Sequence, residues 1–374
     1  MALVLNQEQD MLRESALQFM KESAPVARLR ALRDERDDDG FSRDLWASFA
    51  EMGFTGVLVP EAHGGLGLGM TEAGAIMEAI GRNLTATPFF STAVLGASLL
   101  ARHGSQAQKA RWLPALARGE LLVALAVDET AKHRPERIGL RAGRDGDGYL
   151  LGGEKLFVVD GHVADLLLVA ARTDEDGVTL FAVEGAAAGL RRERSSMVDA
   201  HNAARLAFDS VRVGPEAIVG EPGQGGALLE EVLDIGRAAL AAELLGIADE
   251  VFERTQAYLK ERRQFGQIIG EFQALQHRSS MLYCDIELTR AIVLGAQQAL
   301  DEGSPQAAAL VSAAKSRAGL SATTAVQEGV QMHGGIGMTD EFEIGFFMKR
   351  ARVVEELLGD ARFHTDRWAR LSGY

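Results

Sequence analysis

Residues 229–266, LEEVLDIGRAALAAELLGIADEVFERTQAYLKERRQFG, decide how the rest of the chain is read. Leu229, Val232, Leu233, Leu240, Leu244, Ile247, Val251, Phe252, Tyr258 and Leu259 recur three and four residues apart, which predicts one long amphipathic helix. A carboxylate interrupts the stripe. Glu243 follows Leu240 by three residues and precedes Ile247 by four, so it falls on the face that such a helix buries. One turn away on either side stand Ala239, Leu240, Gly246 and Ile247, and no local ion pair accounts for the charge. A buried carboxylate is unfavourable unless a distant partner, a proton or a function compensates it. Glu243 is therefore a candidate functional residue, and a salt bridge from elsewhere in the chain is the competing reading.

Downstream, helical periodicity returns over residues 270–301, 304–333 and 341–370, and four long helices with short connections predict an antiparallel bundle. Upstream, from Leu121, the pattern is different. LLVALAVD, EKLFVVD, LLLVAAR, VTLFAVE and RLAFDSVRV are short β-rich runs separated by turn-formers such as Asp145-Gly146-Asp147-Gly148. Their spacing leaves no room for crossover helices, so antiparallel strands in a barrel or sandwich are expected rather than a Rossmann sheet. Before them lie helices, one capped by Asn6 and another by Ser42. The acidic run 34–40 (DERDDDG) reads as a solvated loop. The glycines of residues 64–69 lack the lysine of a phosphate loop and complete no dinucleotide fingerprint, so a tight turn is expected there. The predicted organisation is α+β: an N-terminal helical domain over 1–120, a β domain over 121–222 and a four-helix bundle over 223–374.

Composition limits the functional classes. A chain of 374 residues can bury a large core, and 47% apolar with 25% charged residues is ordinary for a globular protein. No apolar run approaches the roughly 18 residues of a membrane span, and the N-terminus lacks a secretory signal's basic start. A net charge of −14 and the absence of a basic stripe argue against nucleic acid. A single cysteine, Cys284, excludes an internal disulfide and fits a reducing, cytoplasmic location; its neighbours Met281, Leu282 and Ile286 suggest a thiol packed in the core.

Three words at particular places carry a resemblance. Residues 261–266 (ERRQFG) end the first bundle helix, 271–276 (EFQALQ) open the second, and 331–337 (QMHGGIG) close the third. Together they resemble the acyl-coenzyme A dehydrogenase family over essentially the whole chain. The resemblance implies a tetramer built from dimers, FAD at the dimer interface, and lipid catabolism of the β-oxidation type. In the implied reaction a carboxylate removes the α proton of an acyl-CoA thioester, flavin takes the β hydrogen, and electrons leave through an electron-transferring flavoprotein. By the same resemblance Arg262, Phe265, Gln331, Gly334 and Gly335 serve the FAD of a neighbouring subunit, Phe157 packs on the flavin, and Asp234 and Arg237 face the thioester. An arginine suits a pyrophosphate because its fork donates two hydrogen bonds. His333 is expected to be a packed core histidine.

The departures are as informative. Where the family commonly places its base near the C-terminus, residues 357–360 read Leu-Leu-Gly-Asp, and at the alternative position on the first bundle helix stands Gly236. Neither Leu358 nor Gly236 can accept a proton. Glu243, two turns beyond Gly236, is the candidate base, with Glu355, Glu356 and Asp360 behind it. Residues 127–134, VDETAKHR, also lack the glycine and serine with which the family contacts the flavin edge, and 157–159 read Phe-Val-Val, without the family's hydroxyl. The retained contacts to a neighbour's FAD and the weakened contacts to its own imply a subunit that shares its site with a related chain. A catalytically silent subunit, a self-sufficient homotetramer and a flavin monooxygenase are the alternatives.

Overall fold

The computed structural model describes residues 3–173 and 177–374. The chain forms two compact units: Met1–Ala31, Met70–Thr85 and Arg237–Tyr374 make the first, and Leu32–Gly69 and Ala86–Gly236 the second. Among the described residues no helix is long and apolar enough to cross a membrane.

The first unit is helical. It contains α1 (Gln7–Ser23), α4 (Met70–Asn83), α8 (Gln273–Asp301), α9 (Ala307–His333), α10 (Ile344–Glu356) and α11 (Ala361–Leu371), together with most of α7 (Gly225–Glu261). Asn6 caps α1 as expected, and Gln9 completes a reciprocal capping box with it. The central helix α7 is buried along most of its length because Ala238, Ala241, Ala242 and Ala248 fill the turns between the larger apolar residues. That allows other backbones to approach closely. A Cβ on Gly81 of α4 would lie 2.1 Å from the carbonyl oxygen of Glu243, and one on Gly246 of α7 would lie 2.1 Å from that of Glu78. The helix expected over 341–370 is two helices. Residues 357–360 break it, with Leu358 at φ +55° and Gly359 at φ +108°, and Asp360 caps α11 through the amide of Phe363.

The second unit carries α2 (Val26–Glu35) in part, α3 (Arg43–Glu51), a π-helix at Phe89–Gly96 running into α5 (Ala97–His103), and α6 (Gln106–Ala117). Ser42 caps α3 as expected. The strands are β1 (Val123–Ala126), β2 (Arg141–Asp145), β3 (Gly148–Val159), β4 (Leu166–Thr173), β5 (Val178–Glu184), β6 (Leu190–Ser196), β7 (Asn202–Val213) and β8 (Ile218–Val219). They form one eight-stranded sheet in the order β6-β7-β3-β2-β4-β5-β8, with β1 also on β4. Two pairings, β1 with β4 and β2 with β4, are parallel, a departure from the all-antiparallel expectation. Tyr149, Leu151, Leu167, Val169, Phe181, Leu206 and Phe208 form its core.

Two local expectations change. Cys284 is exposed, because Leu282 and Ile286 take the inward positions of α8 and turn the thiol outward. The acidic run is part helix and part held loop: Asp34 and Glu35 end α2, Arg194 donates to the backbone carbonyls of Asp37 and Asp38, and Asp39 pairs with Arg43, while Asp34, Glu35 and Asp38 stay exposed as expected. Residues 64–69 do form a tight turn, with the amides of Leu66, Gly67 and Leu68 returning to Gly56, Val59 and Val57.

Candidate functional site

In the helical unit, α7 ends at Glu261 and the chain folds back through a two-residue hairpin, Arg263–Gln264 pairing with Gln267–Ile268. The connecting residues Phe265 (φ +52°) and Gly266 (φ +79°) both adopt the left-handed conformation such a hairpin demands. Phenylalanine is strained there, and the strain is spent on presentation: Phe265 is 91% exposed, touching Phe272 edge-on. Arg262 precedes the hairpin and is exposed.

At the end of α9, Gln331 is exposed, and Gly334, at φ +64° and ψ −139°, adopts a backbone closed to other residues. A Cβ on Gly334 or Gly335 would meet nothing within 4 Å, so this turn offers bare backbone to an incoming group. His333 is buried between Tyr258 and Phe342 and bonds the carbonyl of Gly329 through Nδ1, which fits a packed core histidine. Arg262, Phe265, Gln331, Gly334 and Gly335 thus supply a guanidinium, an aromatic face, an amide and open backbone. This set fits the pyrophosphate and adenosine of FAD.

The flavin-edge segment in the other unit has a different construction. Glu129 accepts from the amides of Gly139 and Leu140 and from Nζ of Lys155 at 2.7 Å, and Lys155 is fully buried. Burial lowers the lysine's pKa, with Glu129 opposing that shift. Asp128 holds His133 Nδ1 at 2.9 Å and the amide of Arg134. Thr130, the one hydroxyl of residues 127–134, donates to the carbonyl of Lys132. These carboxylates are taken up by Lys155, His133 and backbone amides and the hydroxyl by Lys132, so few of the segment's side-chain groups are left for a flavin edge. Phe157 does keep an open face: a register shift between β3 and β7 leaves it at φ +52° and 52% exposed. Asp234, in the same unit, is buried.

The other base positions that the resemblance implies lie in the helical unit, whereas Gly236 is the last residue of the second. Gly236 is buried in α7 and contributes no side chain. Leu358 sits in the turn after α10, where its carbonyl accepts from His364 Nε2 at 3.1 Å and from Arg237 Nε at 3.4 Å. Arg237 has no solvent exposure, and its guanidinium lies over the ring of Phe363. It therefore helps to hold this turn. Glu355 accepts from the amide of Ala361, Glu356 pairs with Arg352, and Asp360 is the α11 cap. Glu243 is 1% exposed; Oε1 takes Arg350 Nε at 2.6 Å, while Oε2 is buried without a hydrogen-bond partner. The distant cation that local spacing could not reveal is Arg350 of α10.

Sequence reasoning missed Lys315, Arg350 and His364. The first two were detectable by the test that singled out Glu243: Lys315 interrupts the stripe Val311, Ala314, Ala318, Ala322, and Arg350 lies between Phe346, Phe347 and Val354.

The family models for the acyl-CoA dehydrogenase N-terminal and C-terminal domains match residues 6–120 and 223–371. Mitochondrial isovaleryl-CoA dehydrogenase of Pongo abelii is 32% identical, over 94% of this chain and 85% of its own. Among solved structures, the Tcur3481-Tcur3483 steroid ACAD variant is 32% identical with a TM-score of 0.89, over 98% of both chains. The ChsE4-ChsE5 complex from Mycobacterium tuberculosis is 26% identical with a TM-score of 0.91, over 100% of both. The fold and the two helix-end motifs are those of a flavin-dependent oxidoreductase acting on the CH–CH bond of acyl-CoA. The chain belongs to the acyl-CoA dehydrogenase family, whose cofactor is FAD.

Proposed function

We propose that this chain is one subunit of a two-chain acyl-CoA dehydrogenase and completes a site whose flavin ring is held mainly by a related partner. One observation carries the reading. The turn at Leu358 keeps a tightly held backbone yet presents leucine where the family commonly has its base, while the residues suited to the distal end of FAD stay exposed. When bound, FAD accepts the hydrogen lost from the β carbon. This chain's own contribution is Arg262, Gln331 and the Gly334–Gly335 backbone toward the pyrophosphate and adenosine, with Phe265 as an aromatic wall. The commitment of Asp128, Glu129 and Thr130 to groups of the protein itself favours the partner as holder of the flavin ring. Two structural relatives are named as a two-component steroid enzyme and a two-component complex, so a bulky ring-bearing acyl-CoA is the first substrate class to test.

A second reading places the base on this chain. Glu243 removes the α proton through Oε2, the oxygen that Arg350 leaves unpartnered. One experiment addresses both. The chain is purified alone and after co-expression with a related subunit from the same source, and visible absorbance, mass and bleaching by acyl-CoAs are recorded. Flavin bound and bleached only in the co-expressed protein supports the two-chain reading, whereas stoichiometric FAD that bleaches in the chain alone overturns it. In the complex, Glu243→Gln with turnover abolished and assembly intact assigns the base to Glu243; full turnover removes that assignment.

A further inference from the structure

Lys315 is a buried charge in the helical unit that the proposed reaction does not use. It lies in the first half of α9, 1% exposed, and its Nζ meets three backbone carbonyls: Val354 at 2.9 Å, Glu355 at 3.0 Å and Gly359 at 3.2 Å. An ammonium has three donors, so this coordination satisfies all of them. Two of the acceptors belong to the last turn of α10, whose carbonyls lack intrahelical partners and carry the negative end of the helix dipole. The third lies beyond the turn. The lysine thus spans from the end of one helix to the approach of the next.

We propose that Lys315 is a positioning residue that clamps the turn 357–360 to the end of α10 and thereby fixes the left-handed backbone at Leu358. The observed strain supports it. A leucine at φ +55° persists only where its surroundings over-determine it, and here Lys315 fixes Gly359 while Arg237 and His364 fix the carbonyl of Leu358. Glu355 pins the far side through the amide of Ala361. The inference rests on the reading that this turn borders the acyl-CoA site, because only then does its fixed geometry serve the reaction.

The clamp depends on a proton. Burial, with Arg237 of α7 adding to it, brings the Lys315 pKa down to about 8; Glu355 of α10, Asp360 of the turn and Glu243 of α7 oppose the shift. His364 of α11 faces the same ammonium and is kept neutral in part by it. Above that pH the amine has two hydrogens and a lone pair, and three carbonyls can no longer all be served. Loosening of the turn is therefore expected as pH rises through the lysine's pKa.

Amide hydrogen exchange over residues 357–361 tests this directly, in the protein as purified or in its complex. Rates are corrected for base catalysis and compared with residues 346–352 inside α10. Protection of the turn should fall about tenfold between pH 7 and pH 9.5 while the helix interior is unchanged. Lys315→Arg, which stays protonated, should abolish that pH dependence, and Lys315→Met should show the loosened turn already at pH 7. Uniform loss of protection across the helical unit, or the same pH response in Lys315→Arg as in the wild type, overturns the proposal. Should neither variant fold, an unchanged turn in the wild type across this pH range overturns it equally. Turnover of the complex is measured alongside, so an inactive complex with a pH-dependent clamp counts against the functional reading and leaves the clamp standing.

Discussion

Arg350 Nε lies 2.6 Å from Glu243 Oε1 inside the helical unit, joining residues 107 positions apart in the chain. Both side chains are nearly inaccessible, so each charge depends on the other. Removing one partner of such a pair leaves an uncompensated buried charge, at a cost of about 3–5 kcal/mol, whereas replacing both with apolar groups of similar volume is often close to neutral. Arg350→Met should therefore lower unfolding stability by that amount, and Arg350→Met combined with Glu243→Leu should recover most of it. Urea unfolding of the three proteins measures the coupling. Additive losses would show that the two side chains act independently.

Close approach of α4 and α7 gives a second prediction. The obstacles to a methyl group at Gly81 and Gly246 are backbone carbonyl oxygens, which cannot rotate away as a flexible side chain could. Gly81→Ala and Gly246→Ala should each destabilise the protein by about 1–3 kcal/mol, despite alanine's better helix propensity. A thermal melt no lower than that of the wild type would mean that the helices separate at little cost.

His364 provides the acid limb of stability. Burial, with Lys315 and Arg237 adding to it, pushes its pKa down to about 2, while an unfolded histidine titrates near 6.5. Between those values the unfolded chain binds the extra proton, so stability falls as pH falls. The slope from one such group is about 1.4 kcal/mol per pH unit. Replacing it, as in His364→Phe, should flatten the stability profile between pH 6.5 and 4 by roughly that slope. Denaturant midpoints at four pH values settle it, and parallel profiles for the two proteins would show that His364 is not the group responsible.

What the sequence made legible follows the range of each interaction. Helix periodicity and the caps at Asn6 and Ser42 are local signals, and they mark α1, α3 and α7 well. The π-helix at Phe89–Gly96 and the parallel pairing of β2 with β4 depend on partners far along the chain, and nothing in local spacing announces them. The same limit applied at the site. Glu243 was conspicuous as a charge in an apolar stripe, but its partner lay on another helix, and Lys315 and His364 acquire their roles from the turn between α10 and α11. That turn was itself hidden, because the apolar pattern runs through Val353, Val354, Leu357 and Leu358 and only Gly359 hints at the break.

The turn at Leu358 supports the most consequential prediction. Its backbone is positioned from three sides by Lys315, Arg237 and His364, and residue 358 is itself half-buried. Leu358→Glu would place a carboxyl on this fixed backbone without moving the donors that hold it. A glutamate in such a partly desolvated position has the raised basicity that abstraction of a carbon-bound proton requires. In the two-chain complex the substitution should raise turnover of an acyl-CoA at least about tenfold, with the gain appearing in kcat and rising with pH as the new carboxyl ionises. Leu358→Gln, which has the same shape but no proton acceptor of comparable strength, should leave turnover where it was. If both variants fold, bind flavin in the complex and show equal turnover, the turn does not border the thioester, and the chain's contribution is confined to the distal end of its partner's FAD.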